Sequence, residues 1–232
     1  MMLRKWEDLP KEMKNESVRP YYEALMKKRT SLLFKRVFDV FLSVLLLLIL
    51  SPIFLILALA IKLESKGTVF FRQERVTQYN KTFHIYKFRT MVEGADKIGS
   101  AITKKNDARI TRMGRLIRKA RLDEIAQLFD VLRGTMTFVG ARPESPKYVQ
   151  KYTPEMLATL LFPAGVTSLA SIRFKDEDSL LDGECDADKI YLEKILPEKM
   201  RYNLDSIMQW SLWQDVKIMI LTVFAVFFRR TK

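Results

Sequence analysis

VFLSVLLLLILSPIFLILALAI, residues 40–61, is a run of 22 residues without a charge. As a continuous helix it would measure about 33 Å, enough to span a bilayer core. Hydropathy alone therefore reads it as a single-pass anchor. Two features argue for another path. Ser51-Pro52 lies near its middle, where proline removes a backbone hydrogen bond and bends a helix. The flanks also choose no side. Five cations (Lys27, Lys28, Arg29, Lys35, Arg36) fall in the fifteen residues before Val40, and four (Lys62, Lys66, Arg72, Arg75) in the fifteen after Ile61. Positive flanks favour the cytoplasm, so a helix–break–helix that re-enters the same leaflet satisfies both constraints. The Ser51 hydroxyl is placed to satisfy a backbone group freed at the bend.

Outward from that segment, the chain is strongly basic: 232 residues with a net charge of +13. An anionic partner is expected, whether nucleic acid, a phospholipid surface or a phosphorylated substrate. One cysteine, Cys185, excludes an intramolecular disulfide and a Cys-based zinc site, and a single His84 argues against a multi-His metal site. Carboxylates remain as the plausible catalytic groups. Residues 1–35 are polar and charged rather than apolar, so no cleavable leader is expected and the soluble part should face the cytoplasm. Tyr21 to Phe38 mixes apolar residues with five cations, which suits a helix lying on the anionic inner leaflet and, equally, a solvated juxtamembrane helix. Ile218 to Phe228 is too short to span and reads as a core or interfacial helix.

The soluble part is expected to be α+β and mainly helical. Thr68–Val76 and Thr82–Phe88 are β-branched and aromatic, with a turn between them, and read as a hairpin. Gly94–Asn106 reads as a loop, and Ile110–Leu132 as one helix. Pro154–Leu161, Leu192–Leu204 and Leu212–Phe228 are further expected helices. The organisation is a juxtamembrane helix (1–36), a re-entrant segment (37–61) and a catalytic domain (62–232).

The chemistry points to Asp123-Glu124. Eight Lys and Arg residues stand between Lys104 and Arg121 against one acid, Asp107, and then the sign flips. A cationic surface gathers phosphates, and adjacent carboxylates can hold a divalent metal or attack phosphorus. Arg112, Arg115 and Arg118 recur every three residues and should line one helical flank. A phosphate or lipid-headgroup role suits them better than nucleic acid, since no aromatic residues interleave with them. Taken alone, Asp123-Glu124 reads better as surface acids balancing nearby arginines, and the pair carries weight only with its context. Neither a G-x-G-x-x-G nor a P-loop is present. Asp176-Glu177-Asp178 and Asp186-Ala187-Asp188 match D-x-D, but they sit in an acidic loop where chance matches are expected.

Read in order, several segments resemble the bacterial sugar transferase family of monotopic polyprenyl-phosphate phosphoglycosyl transferases. They are Lys35-Arg36-Val37-Phe38-Asp39, Ser51-Pro52, Val69-Phe70-Phe71-Arg72-Gln73-Glu74-Arg75 and Lys87-Phe88-Arg89-Thr90-Met91. Leu122-Asp123-Glu124 with Gln127, Gly140-Ala141-Arg142-Pro143-Glu144 and Asp215-Val216-Lys217-Ile218 complete the series. The resemblance implies sugar-phosphate transfer from a UDP-sugar to polyprenyl (undecaprenyl) phosphate, with release of UMP, at the bacterial inner membrane. It makes Asp123 the nucleophile and Glu124 a Mg2+ ligand, with both as catalytic residues and Asp123 near the metal. Lys87, Arg89, Arg118 and Arg142 would bind phosphates or the nucleotide; Asp215 matches a family acid without a fixed role. Inner-leaflet phospholipid is an expected partner, nucleic acid is not, and a homodimer is compatible. Ala126, Ala141, Val166-Thr167-Ser168 and Thr77 depart from the family's usual residues. The competing readings are a silent membrane adaptor and a D-x-D glycosyltransferase that releases UDP.

Overall fold

The computed structural model describes residues 3–95, 107–175 and 187–227. Helix α1 spans Arg19–Met26 and α2 spans Arg29–Glu64. Strands β1 (Phe70–Thr77) and β2 (Lys81–Phe88) follow, then α3 (Arg112–Lys119), a 3-10 turn (Leu122–Gln127) and α4 (Leu128–Arg133). Strands β3 (Met136–Val139) and β4 (Ala164–Thr167) precede two long C-terminal helices, Leu196–Met208 and Leu212–Phe227. The result is mostly helical with small sheets, as the α+β expectation has it. The loop expected over Gly94–Asn106 and the Asp176-Glu177-Asp178 motif lie wholly or largely outside the described residues.

α2 is the one helix among the described residues long and apolar enough to cross a membrane, by length and composition. Its inward face is Leu32, Lys35, Asp39 and Ser43, then Leu57 and Ile61, the three-to-four spacing of a helical stripe. Leu42, Leu46, Leu47 and Leu50 pack on a core made by Phe83, Ile85, Val131, Met136 and Ile218. Further on, Leu57 and Ile61 share a core with Phe88, Ile117 and Ala126. Both halves therefore rest on the same folded body. The opposite face leaves Phe34 (67% exposed), Phe41, Leu48 (69%), Leu55, Leu59 and Leu63 uncovered. An exposed apolar stripe of this length marks an interaction surface.

The break expected at Ser51-Pro52 is not a break in the helix, which is continuous from Arg29 to Glu64. Pro52 has no N–H to give the Leu48 carbonyl, four residues back. Ser51 Oγ donates to that carbonyl instead, at 2.8 Å. The hydroxyl thus replaces the bond that proline removes, and the helix survives.

Ion pairs bind the first half of α2 to the body. Lys35 Nζ donates to Asp215 Oδ2 at 2.6 Å and stands 4.0 Å from Asp39. Asp39 accepts from Thr137 Oγ1 at 2.6 Å, and Trp210 Nε1 donates to Asp215 at 3.2 Å. Arg36 donates to the carbonyls of Val131 and Leu132 at the end of α4.

The stretch Tyr21–Phe38 is not the single interfacial helix expected. The chain breaks between α1 and α2 at Lys27-Lys28. Tyr22 and Leu25 of α1 are buried with Leu3, Leu9, Met13 and Val18 against Leu161, Leu204 and Trp210. Residues 3–26 thus belong to the main core, because their apolar face finds protein to cover it.

β1 and β2 pair antiparallel from Phe70↔Phe88 to Thr77↔Lys81, the expected hairpin. β3 and β4 form a second, parallel pair that the sequence did not announce. Thr77 ties the two sheets together, donating to Thr135 O at 2.6 Å and accepting from Ala164 N at 3.1 Å. Gly140 and Gly165 let the strands' ends touch: a Cβ on Gly165 would lie 2.1 Å from the Gly140 carbonyl. Ala126 is fully buried, and Ser168 caps the Leu169–Arg173 helix through Ser171 N. The departures at Thr77, Ala126 and Ser168 thus have structural uses.

Candidate active site

The helix expected over Ile110–Leu132 is three pieces, and the breaks make the site. α3 ends at Lys119, and Arg121 takes a left-handed conformation at φ 57°. A side chain in that region is strained, typically by about 1–3 kcal/mol. Gly134, at φ 86°, closes α4 in the same conformation without that cost. After Arg121 the chain re-enters as the 3-10 turn that carries Asp123 and Glu124 at its start.

β2 lies against this turn and supplies Lys87, whose Nζ is 3.7 Å from Glu124 Oε1. The loop after β3 supplies Arg142. Its Nη1 donates to Glu124 Oε2 at 3.3 Å, and its Nη2 donates to Oε1. Arg118, on the last turn of α3, donates from Nε to Thr90 Oγ1 at 2.8 Å. Its charge acts on Asp123. Asp123, Glu124, Lys87, Arg118 and Arg142 are thus brought together from four segments.

The two carboxylates are electrostatically unequal. Burial pushes the Asp123 carboxyl up, and the adjacent Glu124 adds to it; Lys87 and Arg118 pull the other way. Burial would also raise Glu124, but Arg142 and then Lys87 outweigh it and hold that carboxyl at about 2. Lys87 is pushed down, first by burial and then, against the pull of Glu124, by Arg142. Several cations therefore crowd one carboxylate, and an added anion would be welcome.

Arg75 was not singled out in the sequence, although it closes the Val69–Arg75 run. It faces Glu144, Arg142, Tyr191 and Tyr148, and burial weighs against its charge. Glu144 is held by Tyr191 Oη, by Lys199 Nζ at 3.4 Å and, through its carbonyl, by Val76 N at 2.9 Å. These bonds fix the loop that carries Arg142.

Two of the expected site residues lie elsewhere. Arg89 is buried, and its guanidinium donates to the Ser65 carbonyl at 2.9 Å and to the Lys66 carbonyl, sealing the end of α2. These bonds hold its guanidinium against the backbone that follows α2. Gly67 makes room for it: a Cβ there would stand 2.1 Å from Arg89 Nη1. Asp215 pairs with Lys35 and Trp210, away from the dyad. Of the D-x-D candidates, Asp188 is described, and it accepts from Tyr148 Oη at 2.6 Å and from Lys147.

No group of three or more His, Cys, Asp or Glu side chains that could hold a metal occurs among the described residues. The dyad still suits magnesium, which favours hard oxygen donors and commonly takes one or two carboxylates plus substrate phosphates.

A family model described as bacterial sugar transferase matches residues 30–229. The chain is 38% identical over 206 residues to a UDP-glucose:undecaprenyl-phosphate glucose-1-phosphate transferase of Klebsiella pneumoniae, covering 87% of this chain and 42% of that protein. It is 36% identical over 220 residues to a protein of the same description from Escherichia coli K12, covering 93% and 45%. A UDP-N-acetylgalactosamine-undecaprenyl-phosphate N-acetylgalactosaminephosphotransferase of Aeromonas hydrophila is 35% identical over 193 residues, covering 82% and 42%. The chain spans less than half the length of each of these relatives.

Proposed function

This chain belongs to the bacterial sugar transferase family, and on that premise we propose that it transfers a sugar phosphate from a UDP-sugar to undecaprenyl phosphate. The observation that carries the reading is the pairing of Asp123 and Glu124 inside a frame of Lys87, Arg118 and Arg142. The cations suit a diphosphate, and the carboxylate beside them suits nucleophilic attack on phosphorus.

Asp123 attacks the β-phosphorus of the donor. An aspartyl oxygen–phosphorus bond forms as the bond from that phosphorus to the bridging oxygen breaks, and UMP leaves with the electron pair. The acceptor's phosphate oxygen then attacks the same phosphorus, which releases the Asp123 carboxylate and gives the polyprenyl diphosphate sugar. The two displacements divide one hard exchange between easier steps. Arg142 and Lys87 are placed to bind the diphosphate and stabilise UMP as it departs. Arg118 favours the ionised form of Asp123 that attack requires. Glu124, ionised, together with Asp123 would hold magnesium, which supplies charge neutralisation on the diphosphate.

Membrane placement follows the same logic. The exposed stripe of α2, joined by Trp213, Ile220, Val223 and Phe224 of the last helix, suits the inner leaflet of the cytoplasmic membrane. Lys28 at the start of α2 donates to Trp210 O, while Glu64 at its end accepts from Met113 N. Contact of both ends with one folded body favours a re-entrant path over a spanning one. A water-soluble donor and a lipid acceptor could then use one site in turn.

The test is a panel of UDP-sugars incubated with the full chain and undecaprenyl phosphate. Release of UMP with at least one sugar is expected. UDP as the product would establish transfer of the sugar without its phosphate, and no nucleotide from any donor would favour the adaptor.

A further inference from the structure

The turn that carries the dyad also holds a polar side chain that the chemistry above leaves unused. Gln127 is 1% exposed, and both its Oε1 and Nε2 are buried without a hydrogen-bond partner among the described residues. It occupies the N-cap position of α4, yet its side chain makes no capping bond. Unpaired buried polar atoms are rare in folded proteins and call for an explanation. A methionine of similar length would fill the same space with no polar atom to satisfy. The fold by itself gives no reason for a glutamine here.

The geometry of the turn supplies one. Side chains at i and i+3 eclipse in a 3-10 helix, and Leu122–Gln127 is such a helix. Gln127 therefore stands one turn beyond Glu124 on the same face. Glu124 is bound by Arg142 and Lys87, the two cations that a diphosphate would also draw. Once they turn to the phosphates, the Glu124 carboxylate oxygen that magnesium does not take needs a new donor, and the Gln127 carboxamide N–H2, without an acceptor among the described residues, is its eclipsed neighbour.

We propose that Gln127 is a positioning residue: its Nε2 donates to the Glu124 carboxylate when the donor diphosphate engages Arg142 and Lys87, and so keeps Glu124 fixed beside Asp123. The proposal rests on the transferase reading above. It explains a residue that burdens the resting fold by a bond made only in the loaded site.

The experiment compares the full-length wild type with Gln127→Met and Gln127→Leu, using the UDP-sugar that the panel identifies. Thermal unfolding of each is measured in the same detergent. Both variants should unfold at or above the wild-type temperature, since each removes two unpaired buried groups. Their kcat for UMP release should fall roughly tenfold or more, as befits loss of one charge-assisted bond. KM for the UDP-sugar should stay within about twofold, because the bond matters after binding. Wild-type kcat in either variant overturns the proposal. A fall in unfolding temperature in both also overturns it, because Gln127 would then be a partnered structural residue. If the wild type releases UMP with no sugar, the transferase reading itself fails; if only the variants match a working wild type, the role of Gln127 fails alone.

Discussion

Removing Lys35 should cost more than removing its partner Asp215. The cluster holds one cation against two carboxylates, with the Lys35 and Asp215 side chains 2% and 7% exposed. Burial already pushes the Asp215 carboxyl up, and Lys35 is the main force pulling it back. Lys35→Met leaves Asp39 and Asp215 buried together without a cation. Breaking a buried pair this way costs about 3–5 kcal/mol, or about 6–20 °C in unfolding temperature for a chain of this size. Asp215→Asn is gentler, because Lys35 keeps Asp39 at 4.0 Å and the amide can still bond; about 1–3 kcal/mol is expected. Adding Asp215→Asn to Lys35→Met should recover part of the loss. Thermal unfolding in detergent, followed by circular dichroism, measures these losses. A Lys35→Met protein within about 1 kcal/mol of wild type, or a costlier Asp215→Asn, would refute the reasoning.

Other outcomes follow from the site and its supports. Glu124 is depressed from 4.5 to about 2, so its contribution to stability is fully present above about pH 4.5 and is lost as pH falls toward 2. Arg142→Gln removes the main lowering charge, so the folded and unfolded values approach each other and that acid loss should shrink in thermal melts recorded against pH. Asp123 is shifted the other way, so its ionised form weighs against the fold at neutral pH. Asp123→Asn should therefore abolish UMP release yet unfold at or above the wild-type temperature. Gly67→Ala places a Cβ at φ 115° against Arg89 Nη1. It should cost about 1–3 kcal/mol by calorimetry, and more than alanine at Gly94, which shares the positive φ but whose Cβ would meet nothing within 4 Å.

What the sequence made legible depended on whether a residue's local signal had one physical meaning. The hairpin was readable because β-branched and aromatic runs flank a turn, and Phe70–Thr77 pairs with Lys81–Phe88 as expected. Ser51 was readable because proline frees a known carbonyl. The break at Arg121 carried no glycine or proline to announce it, so the periodicity of Ile110–Leu132 read as one helix. β3 and β4 have four residues each, too few for alternation to show. A guanidinium suits phosphates, carboxylates and carbonyls alike, so the sequence could not tell that Arg89 meets the Ser65 carbonyl while Arg142 meets Glu124. The amphipathic N-terminal stretch likewise could have met lipid or protein, and it meets the core around Trp210.

The central claim is that Asp123 takes the sugar phosphate before the lipid does. Its most direct test is rapid-quench measurement of UMP from the UDP-sugar with no polyprenyl phosphate present. The account predicts a burst of UMP approaching one equivalent per active enzyme, with the phosphosugar retained on the protein at Asp123, and no burst from Asp123→Asn. UMP that forms only when the acceptor is present, or a full burst from the Asn variant, would contradict it.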